Sequence, residues 1–311
     1  MWYKVIFSQV SPLSSDLSSD VVWGHMLWAG RYLFSEDWVR EEINKSRIGE
    51  GIKVSSLLPY VNGEIFIPNL KVDFSIIKDS AVKKYKKIPY IPLSYIMSLR
   101  NEFSVRKFVS GIGSIISDIP ENLLIKERRL RNSINRKTGT TLEQGGLYGQ
   151  DGIRLQGDLL FFLHWPYTEE RLDSILQYIE STGYGAHRSI GYGRLRLKGK
   201  ERLTDDEVRL FEDDTANAVI LLGLCSPLQD EFDWGKSWYS VKMKVGKLGE
   251  EYARHKPFYK RPIWFLEEGS VMRWTSPRSF YGRIEEDVHI DKNICHYGIS
   301  FGINVRLLGE A

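Results

Sequence analysis

Gly183-Tyr184-Gly185-Ala186-His187-Arg188-Ser189-Ile190-Gly191-Tyr192-Gly193 runs directly into Arg194-Leu195-Arg196-Leu197-Lys198. Glycine reaches positive φ without steric cost, and the lack of a Cβ lets a ligand come close to backbone N–H groups. Such a loop suits a phosphate chain; Arg188 adds a planar, permanently charged fork, and Tyr184 and Tyr192 offer ring faces for bases. The alternation that follows predicts a strand with Arg194, Arg196 and Lys198 on one face and Leu195 and Leu197 on the other. Upstream, 168–182 reads as a helix, with Thr168 as N-cap, Glu169 and Glu170 in the first turn, and Leu172, Ile175, Leu176 and Ile179 at helical spacing before Gly183 ends it. This order, helix then loop then strand, is the reverse of a dinucleotide fold, and no Gly-Lys-Ser/Thr closes the loop as in a nucleotide P-loop. Taken alone, the stretch also reads as a plain glycine-rich turn.

Residues 157–165 form the strand before this helix, so strand, helix and strand make one ferredoxin-like half. The N-terminal Met1-Trp2-Tyr3-Lys4-Val5-Ile6-Phe7 reads as another strand and has no secretory h-region. A polar loop then leads through N-cap candidates Ser18, Ser19 and Asp20 into a helix with Val22, Met26, Ala29 and Leu33 on one face. Trp23 and His25 fall in its first turns, where the helix dipole favours an anion. A second helix is expected over 36–45, and Asn62-Gly63 between apolar runs predicts a hairpin. Lys83-Lys84-Tyr85-Lys86-Lys87 reads as a solvated loop, 93–103 as a helix, and 110–122 shows no usable period.

Between 126 and 137, six of twelve residues are basic (Lys126, Arg128, Arg129, Arg131, Arg136, Lys137) and only Glu127 opposes them. Such density is costly unless solvent or an anion neutralises it. With the glycine-punctuated span that follows, it predicts a protruding hairpin over about 126–150, the alternative being a disordered surface loop. An acidic helix or linker at 204–214 precedes a fresh strand from Ala218, which places a domain boundary there. Further strands are expected at 238–245, 263–266, 270–274 and 297–307.

The pattern Gly-x-Gly-x-x-Arg-Ser-x-Gly-x-Gly at the end of a β-α-β unit resembles the glycine-rich loop of the RAMP superfamily of CRISPR proteins. Asn132-x-x-Asn135-Arg136-x-Thr138-Gly139, ending in Gly145-Gly146-Leu147-Tyr148, resembles the matching segment of the branch that supplies the fourth subunit of type III-A effector complexes, with Asn135 where relatives often carry Asp. Looser likenesses run from Ser19-Asp20-Val21-Val22-Trp23-Gly24-His25 through Lys53, Ser55 and Ser56 to His296-Tyr297-Gly298. The resemblance implies an α+β fold of two ferredoxin-like (RRM-like) RAMP domains, 1–203 with a basic β-hairpin insertion and 216–311. It also implies a subunit that grips the single-stranded 5′ repeat-derived handle of the crRNA and touches a large polymerase/cyclase-like subunit and a RAMP backbone subunit. RNA-binding candidates are then Gly183, Gly185, His187, Arg188, Ser189, Gly191, Gly193, Arg194 and Arg196 of the loop and strand. The hairpin supplies Arg128, Arg129, Arg131, Asn132, Asn135, Arg136 and Lys137, and the groove Trp23, His25, Lys53 and Ser55.

Bulk composition is permissive rather than decisive. A net charge of +3 is too mild to argue for nucleic acid, so local clusters carry that case. Cys225 and Cys295 stand far apart, which suggests neither a disulfide framework nor a zinc site and fits a reducing cytoplasm. No apolar run approaches the roughly 20 residues that span a bilayer, and no cofactor or metal is expected. Metal-independent RNA cleavage needs a positioned acid and base. His25 and His187 are the suspects for that alternative, a repeat-processing endoribonuclease, whereas the resemblance implies a non-catalytic subunit. Aromatic content of 13%, with nine tryptophans, keeps open a third reading, an assembly protein without direct RNA contact.

Overall fold

The computed structural model describes residues 1–76, 81–142, 146–254 and 256–308; residues 143–145 of the expected hairpin, His255 and the last three residues of the expected second domain lie outside them. The first part comprises β1 (Trp2–Gln9), α1 (Ser19–Leu33), α2 (Glu36–Arg47), β2 (Lys53–Val54), β3 (Leu58–Val61), β4 (Glu64–Pro68), α3 (Val82–Lys87), β5 (Tyr90–Pro92), α4 (Leu93–Leu99) and α5 (Val105–Ile115). Then come β6 (Leu124–Asn132), β7 (Leu147–Leu155), β8 (Asp158–His164), α6 (Glu169–Thr182), β9 (Leu195–Arg202) and α7 (Asp205–Val208). The remainder is β10 (Ala218–Leu221), β11 (Val241–Lys244), β12 (Ile263–Leu266), β13 (Val271–Arg273), β14 (Tyr281–Glu285), β15 (His296–Ser300) and β16 (Gly302–Val305).

The main sheet has the order β5–β4–β3–β8–β1–β9, with β2 also paired to β8. The chain leaves β1 through α1 and leaves β8 through α6, and β1 pairs antiparallel with both β8 and β9. Both central strands are buried on two faces. Along β8, Leu159, Phe161 and Leu163 join Tyr3, Val5 and Phe7 against α1 and α6, while Leu160 and Phe162 join Trp2 and Ile6 on the other side. An unbroken apolar run is what a strand covered on both faces requires. The side away from α1 and α6 is closed by α5 through Phe108, Val109 and Ile112, and by Phe211, Phe301 and Ile303.

Two local expectations need correction. The lysine run at 83–87 is the helix α3 rather than a loop, because buried Tyr85 anchors it while the lysines stay at the surface. The region without a usable period contains the end of α5, whose apolar stripe begins at Val105 and whose Gly111 leaves room for the Tyr95 hydroxyl.

β10 is the middle strand of a second sheet, β13–β10–β16. Ala218 and Ile220 enter the core shared with the main sheet, whereas Val219 and Leu221 face Phe232, Met272 and Tyr281. The strand expected over 297–307 is two, β15 and β16, which pair with β14 and β10 respectively. Among the described residues after α7 there is no α-helix, so the C-terminal part does not repeat the strand-helix-strand order expected of a second ferredoxin-like unit. Its inner face is covered by the first part, so no helix of its own is needed there.

Candidate nucleic-acid interface

The glycine loop is held by its own backbone. Gly183 adopts φ 84° and ψ 177°, a conformation essentially reserved for glycine, and a Cβ on Gly193 would collide with the Tyr184 carbonyl. Tyr184 N–H donates to the Gly193 carbonyl at 2.8 Å and Gly193 N–H to the Pro12 carbonyl at 2.8 Å, which closes the neck. Gly185 N–H donates to His25 Nε2 at 2.7 Å and Ala186 N–H to Ser15 Oγ at 2.6 Å. The amides of Ile190, Gly191 and Tyr192 donate to carbonyls within the loop. The expectation of an open array of N–H groups is therefore corrected. Only those of His187, Arg188 and Ser189 lack a partner among the described residues, and His187 and Ser189 are exposed.

Several candidates prove to be supports beneath the surface. Tyr184 and Tyr192 are buried, so neither ring is open to a base; their hydroxyls donate to the carbonyls of Asp16 and Gln150. Trp23 is buried and stacks on Tyr297 with ring centroids 4.9 Å apart. Lys53 is buried over the Phe280 ring, and the cost of desolvating its ammonium lowers its pKa. Ser55 is fully buried and its hydroxyl accepts from Phe162 N–H, while Ser56 is hydrogen bonded to Glu268. These four side chains tie β2 and α1 to the core.

His25 is half-buried at the base of the loop. Burial, and then the Arg188 charge, lower its pKa to about 3, so the ring is neutral near pH 7. Its Nε2 accepts the Gly185 N–H, which fixes the proton on Nδ1 and occupies the lone pair a general base would use. His187 is exposed, in the left-handed region at φ 61°, and leans edge-on to Tyr192.

The basic stretch lies in an antiparallel ribbon, β6 with β7, in register from Leu124↔Leu155 to Asn132↔Leu147. Arg129 and Arg131 are two residues apart on one face, and both guanidinium carbons stand 5.4 Å from the Tyr192 ring centroid. Arg131 Nη2 also donates to the Ile190 carbonyl at 2.8 Å. Tyr192 thus acts as a pedestal that joins the ribbon to the glycine loop. Arg128 lies on the other face, loosely paired with Asp151 at 3.5 Å. Toward the tip, Asn135 Oδ1 accepts from Lys137 N–H at 2.9 Å and so shapes the turn, while Arg136 and Lys137 are exposed. Asp would make the same acceptor contact, which accounts for Asn at this position. Asn132 reaches Thr141 Oγ1 at 3.3 Å across the ribbon. Beside the loop, Arg194, Arg196 and Lys198 form an exposed row.

One partner was not legible in the sequence. The Arg188 guanidinium is paired with the Glu250 carboxylate, which comes from a short 3₁₀ turn at Glu250–Arg254 in the C-terminal part. Glu251 pairs with Arg31 of α1 at 3.1 Å and ties the same turn down. An acidic pair far along the chain carries no local signal of this contact. Among the described residues, no group of three or more His, Cys, Asp or Glu side chains is placed to hold a metal ion, and no helix is long and apolar enough to cross a membrane.

No protein-family model matches the chain, and no curated protein matches it. Solved structures do. In the Csm3–Csm4 subcomplex of the type III-A CRISPR-Cas interference complex, all of one chain (100%) matches 98% of this one, with a TM-score of 0.61 and 16% identity. In the Csm1–Csm4 cassette bound to pppApA, the match covers 99% of both chains at TM-score 0.58 and 14% identity. A chain of the type III-B Cmr-β complex with cognate target RNA and AMPPnP matches 87% of this chain and 86% of its own length, at TM-score 0.50 and 15% identity. The fold is therefore of the class found in subunits of type III CRISPR-Cas complexes. Within that class it is similar to Csm4, the component common to the first two structures.

Proposed function

We propose that this chain is a crRNA-binding subunit of a type III-A CRISPR interference complex, a Csm4-like protein of the cytoplasm that grips the single-stranded 5′ handle of the guide. The observation that carries the reading is the seating of the β6–β7 ribbon on the glycine loop. Through Arg129, Arg131 and Tyr192, two segments distant in sequence form one basic surface, continued by Arg194, Arg196 and Lys198. Cations on a groove or ridge hold a polymer by its phosphates and release counterions, while splayed bases supply sequence preference. On this reading the main sheet is one ferredoxin-like half and the ribbon is its inserted hairpin. The proteins that share the fold occur with Csm3 or with Csm1, which supports a backbone subunit and a large subunit as partners here.

We further propose that the subunit is not itself a nuclease. His25 Nε2 is already a hydrogen-bond acceptor and its pKa is far below neutrality, which favours support of the loop over acid–base work. The test is a gel assay with labelled handle RNA and this protein alone, reading shift and cleavage together. A shift with intact RNA is expected. Cleavage by the chain alone makes it a processing enzyme, and the absence of a shift removes the RNA-binding reading.

A further inference from the structure

The β11–β12 ribbon carries a feature that RNA binding does not use. In β11 the even positions point inward: Lys242 pairs with Asp16 at 3.3 Å and Lys244 with buried Asp20 at 2.7 Å. Because side chains alternate, those two anchors fix the odd positions outward. Val241, Met243 and Val245 are 53%, 50% and 44% exposed. Trp264, directly opposite Met243, is 62% exposed, and Tyr239 extends the stripe by one more alternation. Five large apolar side chains thus form one continuous exposed stripe.

The same strand has a free edge. Glu267 N–H donates to the Ser240 carbonyl, so the bonded pairs with β12 continue at Lys242 and Lys244. The N–H and C=O groups of Val241 and Met243 consequently face away from β12, and among the described residues no other strand pairs with β11. An exposed apolar edge of this kind is normally blunted or covered.

Charge selects what covers it. Lys247, Lys256 and Arg261 are exposed near the end of the stripe and have no ion-pair partner among the described residues. The acids that line the surface beside Trp264 are paired within the chain: Glu285 with Arg283, Glu286 with Arg47 and Asp287 with Lys292. A second copy of the stripe would bring like charges together, whereas an acidic partner would not.

We propose that the outer edge and face of β11 are a docking site for an extended strand of an acidic protein partner, which adds to the sheet and lays alternate apolar side chains on Met243 and Trp264. Strand addition of this type draws affinity from main-chain bonds and specificity from alternate side chains.

The probe is a nine-residue peptide alternating glutamate with valine, titrated into the full chain by calorimetry, beside a twin with lysine for glutamate. Saturable binding of the acidic peptide is expected, at least tenfold tighter than the lysine twin, with slowed hydrogen exchange at the amides of Val241 and Met243. Met243→Glu and Trp264→Ala should each weaken it at least tenfold while melting and handle-RNA binding stay unchanged. Lys247→Glu with Lys256→Glu should reverse the preference between the peptides. Equal or absent binding of both peptides overturns the proposal. So does protection of the same amides by handle RNA, which makes the stripe a nucleic-acid surface. A dimer abolished by Met243→Glu overturns it in favour of a second copy.

Discussion

Arg188 already holds an anion, the carboxylate of Glu250. Both groups are about one-quarter exposed, so solvent screens the pair and its worth is modest, about 1 kcal/mol. A phosphate arriving at Arg188 has to displace that carboxylate. Glu250→Gln should therefore tighten handle-RNA binding by about fivefold, the equivalent of that energy at 25 °C. Arg188→Ala should weaken binding and flatten its salt dependence by about one ion. If neither variant moves affinity or slope, Arg188 is a structural pin for the 250–254 turn. His25 gives a separate residue-scale prediction. Its folded pKa of about 3 lies below the unfolded value near 6.5, so between those values the unfolded chain binds the extra proton. Stability attributable to His25 is complete above pH 6.5 and is lost as pH falls toward 3, by up to about 1.4 kcal/mol per pH unit. His25→Gln keeps an acceptor for Gly185 N–H without titrating. Subtracting its denaturation curve from that of the wild type should leave a loss confined to this window; identical pH profiles would show that the ring is not buried in solution.

At the scale of elements, the ribbon is the part most easily separated from the fold. Leu124 to Asn132 pairs with Leu147 to Leu155, and its base is fixed by buried Leu123 and Leu155, whereas the tip beyond Asn132 rests on nothing outside the ribbon that is described. Replacing 133–146 by an Asn-Gly turn should leave the melting temperature within about 2 °C, since the lost contacts are local and exposed. Removing Arg136 and Lys137 with it should lower the salt slope for single-stranded RNA by about 1.4, at about 0.7 per phosphate contact. A large drop in melting temperature would mean that the tip is part of the core. The ribbon was legible because six cations in twelve residues are a compositional fact that needs no tertiary context. So was the Arg194, Arg196 and Lys198 row, whose alternation with buried Leu195 follows from strand geometry alone. Burial was not legible for short polar segments. Ser55, Ser56 and Lys53 carry the composition of a surface strand, and only the sheet placed over them by tertiary folding encloses them. The same limit applies to Tyr184 and Tyr192, since aromatic rings in a glycine loop serve equally as base platforms or as pedestals, and the ribbon and Ser8–Ser19 region decide which.

At the scale of the molecule, the boundary expected between 203 and 216 does not separate two cores. Trp2 on β1 packs against Phe211 at a tilt and against Phe301 edge-on, with ring centroids 4.8 Å away in each case, and Phe211 lies 5.0 Å from Phe162 and 5.2 Å from Phe301. One aromatic cluster therefore joins the main sheet, the segment after α7 and the C-terminal strands. On the opposite face, Trp23 of α1 stacks on Tyr297 of β15, and Tyr297 also accepts the Val54 N–H through its hydroxyl. Asp20, at the start of α1, is buried between Lys244 and His296. Removing the C-terminal part would strip Trp2 and Phe162 of apolar cover and take Lys244 and His296 away from Asp20, a loss that costs several kcal/mol, mostly as exposed apolar surface. Against a total stability of about 5–15 kcal/mol, a fragment of residues 1–203 should not fold on its own. The full chain should melt in a single cooperative transition, with calorimetric and van't Hoff enthalpies equal, whereas the fragment should show no cooperative unfolding and a collapsed near-ultraviolet signal. Two resolved transitions in the full chain, or a cooperative melt of 1–203, would mean that the shared aromatic cluster is an interface between independent domains rather than a common core.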